Sequence, residues 1–79
     1  MNKCTAATSS LTHCIKAQRL LAENGLSCSI VKLDSSLTRR GCAYGIEFSC
    51  DEKREVRSLL SRANIPVSQY IDGGGGVPL

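Results

Sequence analysis

An α+β domain, with one antiparallel sheet and two helices on one of its faces, is the fold this sequence predicts. Three observations lead there. Two segments carry apolar residues at helical spacing, each closed by a turn signal. Short β-prone runs flank them in the order strand, helix, strand, strand, helix, strand. The 79 residues leave room for one small core, because a chain of this size removes only about 60–65% of its unfolded surface from water. Two βαβ-like units joined in this order give a four-stranded antiparallel sheet in the ferredoxin-like arrangement βαββαβ.

The first strand is read over Asn2 to Thr8, followed by Ser9 and Ser10, whose hydroxyls suit a helix N-cap. From Leu11 to Asn24, the residues Leu11, Cys14, Ile15, Leu21 and Ala22 fall on one side, and Gly25 supplies a left-handed stop. Leu26 to Leu33 is a largely apolar, β-branched run ending in the turn-forming Asp34 to Ser36. Ala43 to Ser49 alternates Tyr44, Ile46 and Phe48 against Ala43, Gly45 and Glu47, which predicts a half-buried strand with its first set turned toward the helices.

Ser49 and Glu52 have the spacing of a capping box, and Val56, Leu59, Leu60 and Ala63 repeat at i, i+3, i+4 and i+7. Ile65 to Ile71 reads as the last strand, with Pro66 tolerable at its start or on an edge. Residues 1–72 form the expected domain, and residues 73–79, opening with four glycines, are expected to be a flexible tail.

Composition narrows the function. No window holds the ~18 apolar residues of a membrane span, and the N-terminal segment lacks the apolar stretch of a signal peptide, so a cytoplasmic protein with no membrane partner is expected. In that compartment thiols are kept reduced, and five cysteines are not expected to form a disulfide framework. The charge of +3 is uneven: six basic and two acidic residues up to Arg40, four basic and five acidic after it. With a pI near 8.7, the chain falls short of the usual nucleic-acid footprint.

The chemistry concentrates at Leu37 to Phe48, "LTRRGCAYGIEF". A thiolate is the nucleophile of cysteine chemistry, and neighbouring cations favour it. Cys42 follows Arg39 and Arg40, while Gly41 and Gly45 let the backbone bend and offer N–H groups to an anion. The bland alternative makes Cys42 a small strand residue beside a solvated basic edge. Cys4, Cys14 and Cys28 are expected in the core, since free cysteine is among the most buried residue types. Cys50 sits just before a helix, but the ~26 Å of extended chain between it and Cys42 is too long for the two to pair. The cysteine spacing and the single histidine, His13, which is expected on the helix surface, argue against a metal site.

A second reading comes from RNA recognition. Arg40-Gly41-Cys42-Ala43-Tyr44 follows the third-strand motif of an RRM, with Cys42 in place of its first aromatic residue. Tyr44 shares parity with the core-facing Ile46 and Phe48, so it would reach a base only if Gly45 formed a bulge.

As a whole, "SSLTHCIKAQRLLAENGLSCSIVKLDSSLTRRGCAYGIEF", a capped helix and "NIPVSQYI" resemble the small bacterial family of selenium/sulfur carrier protein-like domains. The resemblance runs from about Thr5 to Ile71, and its most specific element is the cysteine after the second strand, matched by Cys42. It implies a carrier that takes a sulfane sulfur or selenium on Cys42 from a PLP-dependent cysteine desulfurase or selenocysteine lyase and delivers it to an acceptor enzyme. Arg39 and Arg40 would stabilise the anions, and Gly41 and Gly45 would give the loop access to each partner. Such a carrier needs no general base and no cofactor of its own, and is at most half of a sulfurtransferase reaction.

Overall fold

The computed structural model describes residues 2–33, 44–73 and 77–78. Strand β1 (Lys3–Thr8), helix α1 (Leu11–Glu23), β2 (Ser29–Lys32), β3 (Tyr44–Ser49), a 3₁₀ turn (Cys50–Glu52), α2 (Lys53–Arg62), β4 (Gln69–Asp72) and β5 (Val77–Pro78) follow one another. The sheet order is β4-β1-β3-β2-β5, and every pairing is antiparallel. The first four strands and the two helices are the expected ferredoxin-like fold, with β1 and β3 as its central pair.

Short β5 is an addition to it. Val77 and Pro78 pair with Lys32 and Val31 of β2, so this part of the expected flexible tail belongs to the sheet. Pro78 lacks an N–H and is tolerated because β5 is an edge strand.

The main core lies between the sheet and the helices. Ala6, Ile46 and Phe48 from the central strands pack with Cys14, Ala17 and Leu21 of α1 and Val56 and Leu60 of α2. Tyr44 is packed against this cluster too, so the alternation of Tyr44, Ile46 and Phe48 is borne out. On α1 the buried stripe is rotated from the expected one: Leu11 and Ile15 are 37% and 45% exposed, and small Ala17 takes the contact position. A second, smaller cluster of Ala7, Val31 and Leu33, with Ile71 against it, involves the intervening strand residues.

Local signals explain most boundaries. Ser10 accepts a bond from the Thr12 amide and caps α1. At its other end Gly25 has φ +78, and Leu26 N–H returns to the Leu21 carbonyl at 2.8 Å. That closure pulls Leu26 into the core and delays β2 until Ser29, later than the apolar run predicts. α2 ends in the same way at Asn64, φ 57, where Ile65 N–H reaches the Leu60 carbonyl at 3.0 Å. Pro66 therefore precedes β4 instead of opening it. The expected capping box is not made: Ser49 gives no side-chain cap bond, and a 3₁₀ turn separates it from α2.

Candidate functional site

The central strand β3 (Tyr44–Ser49) is flanked in sequence by two cysteines, Cys42 two residues before it and Cys50 directly after it. Tyr44 opens β3 opposite Thr8 of β1 and Lys32 of β2. Ser49 closes it opposite Lys3, and Cys50 follows at once, its N–H bonded to the Asn2 carbonyl at 3.1 Å.

The Tyr44 end is where the expected site joins the sheet. Arg39, Arg40, Gly41 and Cys42 lie outside the described residues, which resume at Tyr44, two positions after Cys42. Beside Tyr44, β1 ends at Thr8 and α1 starts just beyond its Ser10 cap, with no acidic residue in its first turn. This end of the sheet therefore carries the positive end of a helix dipole and no opposing carboxylate from that turn.

Gly45 is not a bending point of the loop. It pairs regularly with Ala7 and Val31, without a bulge. A Cβ there would fall 2.9 Å from the Ala6 carbonyl oxygen and about as close to the Thr5 and Leu33 side chains. The strands approach too closely at this point to admit a side chain.

Four of the five cysteines are among the described residues, and none of these four is a ready nucleophile. Cys14 is buried on α1 with its sulfur 3.1 Å from the Thr8 hydroxyl; burial pushes its thiol pKa up, against a smaller lowering by that contact. Cys28 is pushed up to about 11, first by burial and then by the neighbouring Cys14 sulfur. Both thiols are protonated near neutral pH, and a thiol reacts through its thiolate.

Cys4 and Cys50 form a disulfide, with Cα atoms 5.0 Å apart. This corrects the expectation of unpaired cysteines. The partners are 46 residues apart in sequence, and only the β1–β3 register, Lys3 with Ser49, brings them together. Cys4 is buried, as expected, but bonded. His13, expected on the surface, is half-buried with Nδ1 shielded from solvent.

All three aromatic residues of the chain lie against the helix-side core. Phe48 is within it, and Tyr44 and Tyr70 pack on it, with the Arg57 guanidinium 5.3 Å from the Tyr70 ring centroid. The RRM reading needs aromatic rings on the opposite face to stack bases, and the sheet presents none there. Among the described residues, no helix is long and apolar enough to cross a membrane.

The fold and its cysteines define a small ferredoxin-like α+β domain built around a cysteine-flanked central strand. The family model described as "Putative Se/S carrier protein-like" matches residues 3–72, and the chain belongs to that family. No curated protein and no solved structure matches the chain significantly.

Proposed function

We propose that the chain is a sulfur or selenium carrier whose working atom is the Cys42 sulfur. The observation that supports this most is the state of the other cysteines: two are joined in a disulfide, and two are held as protonated thiols. The family match supports this class of chemistry, and Cys42 stands in sequence two residues ahead of β3, whose Tyr44 end lies beside the start of α1.

In the proposed cycle, Cys42 thiolate attacks the terminal sulfur of a persulfide on a PLP-dependent cysteine desulfurase. The donor's S–S bond breaks, its cysteine leaves as a thiolate, and Cys42 carries the persulfide. A selenocysteine lyase would supply a terminal selenium in the same way. An acceptor enzyme then attacks that terminal atom, and Cys42 thiolate is released. Arg39 and Arg40 favour the anionic sulfur in both states by charge. Gly41 leaves the backbone before Cys42 unhindered, whereas Gly45 serves the strand packing described above.

Intact-protein mass spectrometry tests this reading. After incubation with desulfurase and cysteine, or with lyase and selenocysteine, wild type gains one reductant-labile sulfur or selenium atom and Cys42→Ser gains none. Loading of the serine variant, or none of wild type when Cys42 is open to alkylation, overturns it.

A further inference from the structure

At the Ser49 end of β3 the Cys4–Cys50 disulfide lies in an open groove of about 790 Å³, lined also by Asn2, Lys3, Lys53, Asp72 and Gly73. Its two sulfurs are not equivalent. Cys4 is 1% exposed, whereas Cys50 is only partly buried. Three of the lining residues, Lys3, Lys53 and Asp72, are charged, and Asp72 Oδ1 is 3.5 Å from Cys4 Sγ and 3.2 Å from Lys53 Nζ. A disulfide sulfur has no proton to donate, so the contact with Asp72 becomes a hydrogen bond only once the disulfide opens and Cys4 carries S–H.

We infer that this groove is a thiol–disulfide exchange site, with a peptide thiol or dithiol as its substrate and Cys50 Sγ as the atom attacked. The inference does not rest on the carrier role of Cys42. An incoming thiolate bonds to Cys50 Sγ, the Cys4–Cys50 bond breaks, and Cys4 leaves as a thiolate. Cys4 then takes up a proton equivalent to the one the attacking thiol released, and its S–H bonds to Asp72. With a dithiol, the second thiolate attacks the bound sulfur and releases Cys50. The dithiol is thereby oxidised to a disulfide and the cysteine pair reduced to two thiols.

Cys50, the more exposed residue of the pair, lines the groove, and Cys4 leaves into a position with an acceptor waiting. A groove of this size suits a peptide-sized thiol. Lys53 raises the local concentration of thiolate by charge, whereas Asp72 opposes both the incoming and the departing anion.

The test uses the folded Cys42→Ser chain in its disulfide form, so that the carrier thiol cannot contribute. It is incubated with glutathione, quenched in acid and mapped by peptide mass spectrometry. The expected glutathione adduct is on Cys50, in excess of that on Cys4 by on the order of tenfold or more. Dithiothreitol then reduces the pair while the far-ultraviolet dichroism is kept, and oxidised glutathione restores the same bond. Lys53→Met slows adduct formation and Asp72→Asn speeds it, each by a few-fold at low salt and less at high salt. An adduct mainly on Cys4, no adduct at all, or reduction only together with loss of the fold overturns the inference.

Discussion

The two ends of β3 differ in what they ask of cysteine. At the Tyr44 end, the chain arrives from a segment bearing two arginines and Cys42, beside the start of α1. At the Ser49 end, about 17 Å away along the strand, it leaves through Cys50, which is bonded to Cys4 beside the Lys53–Asp72 ion pair. The two proposed sulfur chemistries thus belong to opposite ends of one strand, and the ends of a strand within a sheet cannot approach each other. The lesson is that the count of cysteines says little until the sheet register is known.

The sharpest way to break this comparison is to exchange the two losses. Cys42→Ser is expected to lose all chalcogen loading and keep its melting temperature. Cys50→Ser is expected to keep loading but to lose stability, about 2–4 kcal/mol, because the bond closes a loop across 46 residues of sequence. Mass spectrometry and urea denaturation of both variants read the two effects separately. Loss of loading in a folded Cys50→Ser chain would show that the two ends act together.

What could be read beforehand follows the range over which each signal acts. Gly25 and the spacing of Val56 and Leu60 are local, and they located both helices. The alternation of Tyr44, Ile46 and Phe48 is local too, and it assigned the inner face of β3. The disulfide was not legible: its partners meet only through strand pairing, and a cysteine with strand residues around it reads as core. The same holds for Gly45, whose neighbours come from β1 and from the residue after β2, and for β5, whose two residues mean nothing without an edge to join. At the candidate carrier site, Cys42 with its arginines and glycine lies outside the described residues; the burial of Cys14 was read from its helical stripe, whereas Cys28, expected in the core, is only partly buried.

Substitutions within β3 sharpen the claim that the strand is a rigid spacer. Phe48 is the register partner of Cys4 and is 1% exposed. Phe48→Ala should cost about 3–5 kcal/mol by urea denaturation, the range for an emptied aromatic core position. Gly45→Ala should cost about 1–3 kcal/mol, since its new methyl group meets backbone, which cannot swing aside. A neutral Gly45→Ala would mean that the β1–β3 spacing is softer than the structure indicates.

The thiols between the two ends make a weaker but independent check. Cys28, raised from an ordinary 9.0 to about 11, should resist iodoacetamide at neutral pH in the folded chain and react as the pH approaches 11. Its linkage has a definite sign. The folded state holds the proton more tightly than the unfolded state, so the contribution to stability is complete below pH 9 and is lost as pH rises through 11. Urea midpoints measured across that interval should fall, and Cys28→Ala should flatten the fall.

The smallest expected effect is at the ion pair. Lys53 and Asp72 have side chains 34% and 84% exposed, so water screens most of their attraction despite the 3.2 Å separation. Lys53→Met should change the unfolding free energy by no more than about 0.5–1 kcal/mol. If the exchange reading is right, the same substitution slows attack at Cys50 by a few-fold, because the rate senses the charge presented to an incoming anion whereas stability senses only the difference from the unfolded chain. A kinetic effect that fades with added salt, alongside an almost unchanged urea midpoint, would give the pair its role at the disulfide. A large loss of stability with no change in rate would make it a structural clamp between α2 and β4.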